Sequence, residues 1–118
     1  MTKSFKELKV WQKAHELVLE IYKATNAFPS SENYCIISQI RRSSVSVAAN
    51  IVEGHIRRSD KDFAHFLNIA EGSLEETKYF LLLSLDLDYL KQVDYNALLG
   101  LADEVGKILH GFNKKLSS

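Results

Sequence analysis

The sequence predicts an all-α protein, an up-down-up-down antiparallel four-helix bundle. Three observations predict it. Four segments repeat apolar or small residues at steps of three and four, the spacing of one helix face. No segment alternates apolar and polar residues long enough to argue a strand. One proline and five glycines in 118 residues leave few interruptions, so long helices are joined by short connections.

The first helix is predicted at about 7–27, on the stripe Trp11, Ala14, Val18, Ile21, Thr25 and Phe28. Ser4 and Glu7 stand before it at capping-box spacing. Pro29, Ser30 and Ser31 mark a break and a new start. The second helix, about 32–57, carries Ile37, Ile40, Ser44, Val47 and Ile51. Ser59 followed by Asp60 and Asp62 supplies a cap and an acidic first turn. The third helix, about 60–87, carries Phe63, Leu67, Ala70, Leu74, Thr77, Leu81 and Ser84. Asp94 is the expected cap of the fourth, about 95–116, with Val93 and Leu98 as a hydrophobic staple. Its stripe is Leu98, Ala102, Val105, Leu109, Phe112 and Leu116. At ~1.5 Å per residue these helices are roughly 30–40 Å long. Residues 1–118 form one domain in this reading, a length that suits one core.

With 46% hydrophobic and 25% charged residues, the chain falls outside the disordered and collagen-like classes. The lone cysteine, Cys35, excludes an intrachain disulfide framework. Its neighbours Tyr34, Ile36 and Ile37 predict a packed, inert thiol. Residues 1–10 lack an apolar signal core, and the run Phe80 to Leu83 is far too short to span a bilayer. The expected compartment is therefore the cytoplasm, with no membrane partner.

Fifteen basic residues balance fifteen acidic ones. The zero is a cancellation. Residues 1–61 hold ten basic and six acidic side chains, and residues 62–118 hold five and nine. Arg41, Arg42, Arg57, Arg58 and Lys61 lie in or just after the second helix. Arginine forks suit phosphate, which makes these five the candidate nucleic-acid ligands. They equally suit the acidic faces of the third and fourth helices, such as Glu71, Glu75, Glu76, Asp103 and Glu104. Both readings stay open.

On the second helix, Gln39, Arg42, Ser46, Asn50, Glu53 and Arg57 form a polar stripe about 27 Å long. It is either a solvated face or a surface for a protein partner. Val45, Ala48 and Val52 add a second apolar strip beside the core stripe. In the third helix, Tyr79 to Leu83 points apolar side chains in every direction. One bundle needs a single buried stripe, and excess apolar surface marks association. Val45, Ala48, Val52, Tyr79, Leu82 and Leu83 are the candidate interface of a homo-oligomer.

Nothing in the sequence argues catalysis. A bundle di-metal site needs repeated Glu-x-x-His. The chain offers only Asp62-x-x-His65, and His15, His55 and His110 lack ligand spacing. The five glycines fit neither a phosphate loop nor a dinucleotide fingerprint. No enzyme activity, cofactor or metal is expected.

Several motifs in order carry a family resemblance. They are Phe5 to Ala14 (FKELKVWQKA), Phe28-Pro29, Ser38 to Arg42 (SQIRR) and Ser46 to Gly54 (SVAANIVEG), then Arg57, Phe63, Phe66-Leu67, Ala70, Gly72 to Leu74 and Glu76. The chain resembles the four-helix-bundle proteins encoded in intervening sequences of bacterial 23S rRNA genes. A related branch is the accessory protein of diversity-generating retroelements. The resemblance implies a ring-like homopentamer, a role in binding RNA or DNA, and in the related branch work beside a reverse transcriptase. Two positions depart from the family pattern, Ala48 where proline is common and Ile56 where glycine is common. Ala48 leaves the second helix straighter, because no backbone hydrogen bond is lost. Ile56 removes a helix stop. The expected function is therefore a non-enzymatic assembly that binds nucleic acid, or an adaptor for a protein partner.

Overall fold

Residues 4–117 are described by a computed structural model, and every regular element among them is helical. The four long helices are α1 (Lys9–Thr25), α2 (Ile36–His55), α3 (Asp60–Asp86) and α4 (Gln92–Ser117). Each packs against its neighbour in sequence, and α1 also packs against α4, which closes a square of four. Successive pairs run antiparallel. Along α2 and α3, Arg42 meets Glu76, Ser46 meets Ser73, and Gly54 abuts Phe63 and Phe66. Along α3 and α4, Phe63 meets Phe112 and Lys78 meets Asp103. The body measures 45 × 23 × 20 Å, about one helix length by two helix diameters.

The core is built on the stripes that the periodicity predicts, with Val10, Leu17, Ile36 and Leu90 buried beside them. Ala14 and Ile21 of α1, Ile40, Val47 and Ile51 of α2, Leu67 and Leu81 of α3, and Ala102, Val105 and Leu109 of α4 are all buried. Polar members of the stripes are buried with partners. Thr25 donates to the Ile21 carbonyl at 2.8 Å, and Ser84 donates to the Phe80 carbonyl at 2.7 Å. Between α2 and α3, Thr77 donates to Ser43 Oγ at 2.8 Å, and Ser43 donates to the Ile40 carbonyl at 3.1 Å. These small hydroxyl residues bring the two backbones together without leaving a buried polar atom unpaired.

Three helix starts differ from the sequence reading, each for a local reason. Ser4 caps a separate 3-10 turn, Phe5–Glu7, by accepting from the Lys6 amide. Leu8 is then extended, so α1 begins at Lys9. Ser30–Glu32 forms a second 3-10 turn, and the chain turns again at Cys35 before α2 begins at Ile36. The fourth helix starts earlier than predicted. The Lys91 carbonyl accepts from Tyr95, so Asp94 lies inside the first turn. Val93 is exposed and forms no staple. The third start holds, since Ser59 Oγ accepts from the Asp62 amide at 3.1 Å. Cys35, predicted to pack, is exposed because it caps α2 outside the buried stripe.

The α3 terminus is a Schellman-type turn. Asp88 takes φ 63°, and the Tyr89 amide donates back to the Ser84 carbonyl at 2.9 Å. Tyr89 then rests against Phe28, ring centroids 5.6 Å apart, joining two connections at one end of the bundle. No helix among the described residues is long and apolar enough to cross a membrane.

Candidate nucleic-acid interface

The five candidate phosphate ligands do not form one patch. Arg42 lies in the first half of α2 and Arg57 just past its end, separated by about 20 Å of helical rise. Their surroundings separate them further.

Arg41 is committed to α1. Its Nε donates to Thr25 Oγ1 at 2.9 Å, and one terminal nitrogen donates to Asn26 Oδ1 at 3.1 Å and the Tyr22 carbonyl at 3.4 Å. Its guanidinium lies 4.4 Å from the Tyr22 ring centroid. This side chain closes the C-terminus of α1, where a cation is favoured by exposed carbonyls. Arg42 donates to Glu76 at 2.8 Å and to Gln39 at 3.3 Å. Two members of the α2 polar stripe thus reach α3, since Ser46 also meets Ser73 at 2.9 Å, while Gln39 and Glu53 stay exposed.

The other three candidates lie where α2 ends and α3 begins. Arg57 donates to Glu53 at 2.8 Å and lies over Phe66, 4.6 Å from its ring centroid. Arg58 and Lys61 are exposed, and no described residue pairs with either. The antiparallel topology brings the last turn of α4 to this same end. Asp60 shares a groove with Lys107, Ile108, Phe112, Lys115 and Leu116. Lys114 stands beside Lys115 in that turn. The result is a basic end, which Glu53, Asp60 and Asp62 only partly offset. The sequence reading missed Lys107, Lys114 and Lys115. The signal lay in the topology, since an antiparallel α4 must finish where α3 starts.

Ion pairing elsewhere binds helix to helix. Lys13 of α1 reaches Glu104 of α4 at 2.9 Å. Hydrogen bonding to Glu104, more than any other cause, holds the Lys13 ammonium above its usual value. The same bond holds the Glu104 carboxyl below its usual range. Lys78 bridges Glu75 and Asp103. Partial burial pulls its pKa down, and those two carboxylates outweigh that pull.

The six candidate interface residues also divide. Ala48 is 8% exposed and belongs to the chain's own core, because α2 is held between α1 and α3. Val52 and Leu83 are half-buried. Val45, Tyr79 and Leu82 are exposed, Tyr79 at 58%. The pairing of Arg42 with Glu76 and Ser46 with Ser73 sets Val52 level with Phe66. Leu83 therefore lies roughly 25 Å further along the bundle. Leu19 and Tyr22 of α1 are exposed as well and were not marked by the sequence pattern.

Among the described residues, no group of three or more His, Cys, Asp or Glu side chains could hold a metal ion. His65, half of the single Asp-x-x-His pair, is exposed beside Phe66.

The comparisons with known proteins bear on the family and the fold. A family profile described as 23S rRNA-intervening sequence protein matches residues 6–111. A crystal structure of a protein of unknown function from the S23 ribosomal protein family, from Bacteroides thetaiotaomicron, is similar at 29% identity with a TM-score of 0.82. The similarity covers 89% of this chain and 95% of that one. No curated protein matches the chain at a significant level.

Proposed function

The chain belongs to the 23S rRNA-intervening sequence protein family, and from that premise we propose that it is a self-assembling protein that binds nucleic acid through the basic end of its bundle. One observation carries this reading. Arg58 and Lys61 are exposed cations with no partner among the described residues, at the end where Arg57 and the α4 lysines also gather. Unpaired cations are the groups that gain when phosphate counterions are released. Assembly multiplies so small a patch, which matters for a chain of zero net charge. The exposed Leu19, Tyr22, Val45, Tyr79 and Leu82 support self-association. The family resemblance suggests five copies.

The chemistry proposed is binding, with Arg58 and Lys61 as phosphate ligands and no reaction. The adaptor reading has a smaller surface to work with, because Arg42 and Ser46 of the α2 stripe bond to α3.

Light scattering with and without a structured RNA at low salt tests assembly and ligand together. The expected result is a mass of several chains that rises when RNA is added. A single-chain mass across the micromolar range contradicts self-assembly. An unchanged mass with RNA contradicts nucleic-acid binding.

A further inference from the structure

Arg57 differs from the other four candidates in what it leaves open. Glu53 occupies one edge of its guanidinium at 2.8 Å and compensates much of its charge. Phe66 occupies one face, its ring centroid 4.6 Å from Cζ. The side chain is nevertheless 40% exposed. A flat cation fixed on one edge and one face is poorly placed to chase phosphates. It is well placed to offer its remaining face, and guanidinium planes stack on nucleobases. Arg41 offers no such surface, since its nitrogens already donate to α1 and its ring partner Tyr22 holds it there. Arg42 has no ring beneath it to fix its plane among the described residues. Ile56, 65% exposed, adds an apolar neighbour. Arg58 and Lys61 stand within four residues of Arg57, exposed and with no ion pair among the described residues.

We propose that this end recognises unpaired bases of single-stranded nucleic acid, one base stacking on the outward face of Arg57 while Arg58 and Lys61 hold flanking phosphates. Bases inside a duplex are stacked on each other and cannot reach that face. The inference rests on the nucleic-acid reading above and narrows it to a ligand class.

The test is fluorescence anisotropy with a labelled RNA strand of roughly 12 nucleotides, its duplex, and an abasic strand of equal length. Arg57→Lys keeps the charge and removes the plane, and circular dichroism checks that its helicity matches the parent. The expected result is tighter binding of the strand than of the duplex. Arg57→Lys should weaken strand binding about tenfold, and the abasic strand should lose a similar factor. A DNA strand of the same sequence separates the two sources of unpaired bases. Equal affinity assigns the site to the base alone, and weaker DNA binding adds a ribose hydroxyl contact. Equal affinity for strand and duplex, or an Arg57→Lys protein that binds like the parent, overturns the stacking site. In that case the loss of binding in Arg58→Glu/Lys61→Glu still tests the broader reading separately.

Discussion

At Gly54 a missing side chain sets how closely α2 and α3 approach. A Cβ there would lie 2.8 Å from the Phe63 ring and 3.0 Å from Phe66 Cβ. Gly54→Ala gains up to ~1 kcal/mol in helix propensity but forces apart a close-packed contact at about 1–3 kcal/mol. The net expectation is a destabilised protein, read as a lower melting temperature. An unchanged or raised melting temperature would show that the contact yields easily. Asp88 presents the opposite case, a side chain where none is wanted, at φ 63°. Asp88→Gly should be more stable than Asp88→Ala by about 1 kcal/mol, measured by urea unfolding. Glu104 supplies a pH dependence. Its folded pKa lies below the ordinary value of 4.5, chiefly through the Lys13 hydrogen bond. Stability from this pair is therefore present above pH 4.5 and lost as pH falls through the folded value. Its partner Lys13 is raised above 10.5, so the pair is also lost in strong base. Glu104→Gln should flatten the acid limb of stability against pH, and an identical acid limb would contradict the assignment.

Among the elements, α2 shows best what periodicity can and cannot tell. Its core stripe, Ile37, Ile40, Ser44, Val47 and Ile51, was legible because burial on one helix face must recur at three and four residues. The same holds for α1, α3 and α4. Helix starts were less legible. A serine can cap a 3-10 turn as readily as an α-helix, which is what Ser4 does. The candidate site was legible in residue type but not in grouping. Arginines look alike in sequence, yet Arg41 is held at the α1 terminus while Arg58 has no partner among the described residues. Arg41→Ala should therefore cost about 1 kcal/mol of stability and leave RNA affinity unchanged. An affinity loss without a stability loss would return Arg41 to the ligand set. The surplus apolar residues of α3 bear on assembly. Leu83→Glu should lower the assembled mass in light scattering if its half-buried side chain borders a neighbouring copy. An unchanged mass places the contact elsewhere, with the exposed Leu19 and Tyr22 the next residues to alter.

For the whole molecule, zero net charge is a cancellation between regions. Sequence halves only hinted at it, because chain order is not spatial order. The antiparallel bundle returns Lys114 and Lys115 of the acidic half to the basic end. The acidic side chains elsewhere are partly used in holding helices together, as Glu76, Asp103 and Glu104 are. At the basic end Arg58 and Lys61 are exposed with no ion pair among the described residues, and the functional account rests there. The most direct test is the salt dependence of RNA affinity for the parent and for Arg58→Glu/Lys61→Glu. The account predicts that log K falls linearly with log salt, and that losing these two contacts reduces the slope by roughly 1.4 units per bound chain on a single strand. Equal slopes and equal affinities for the two proteins would contradict it.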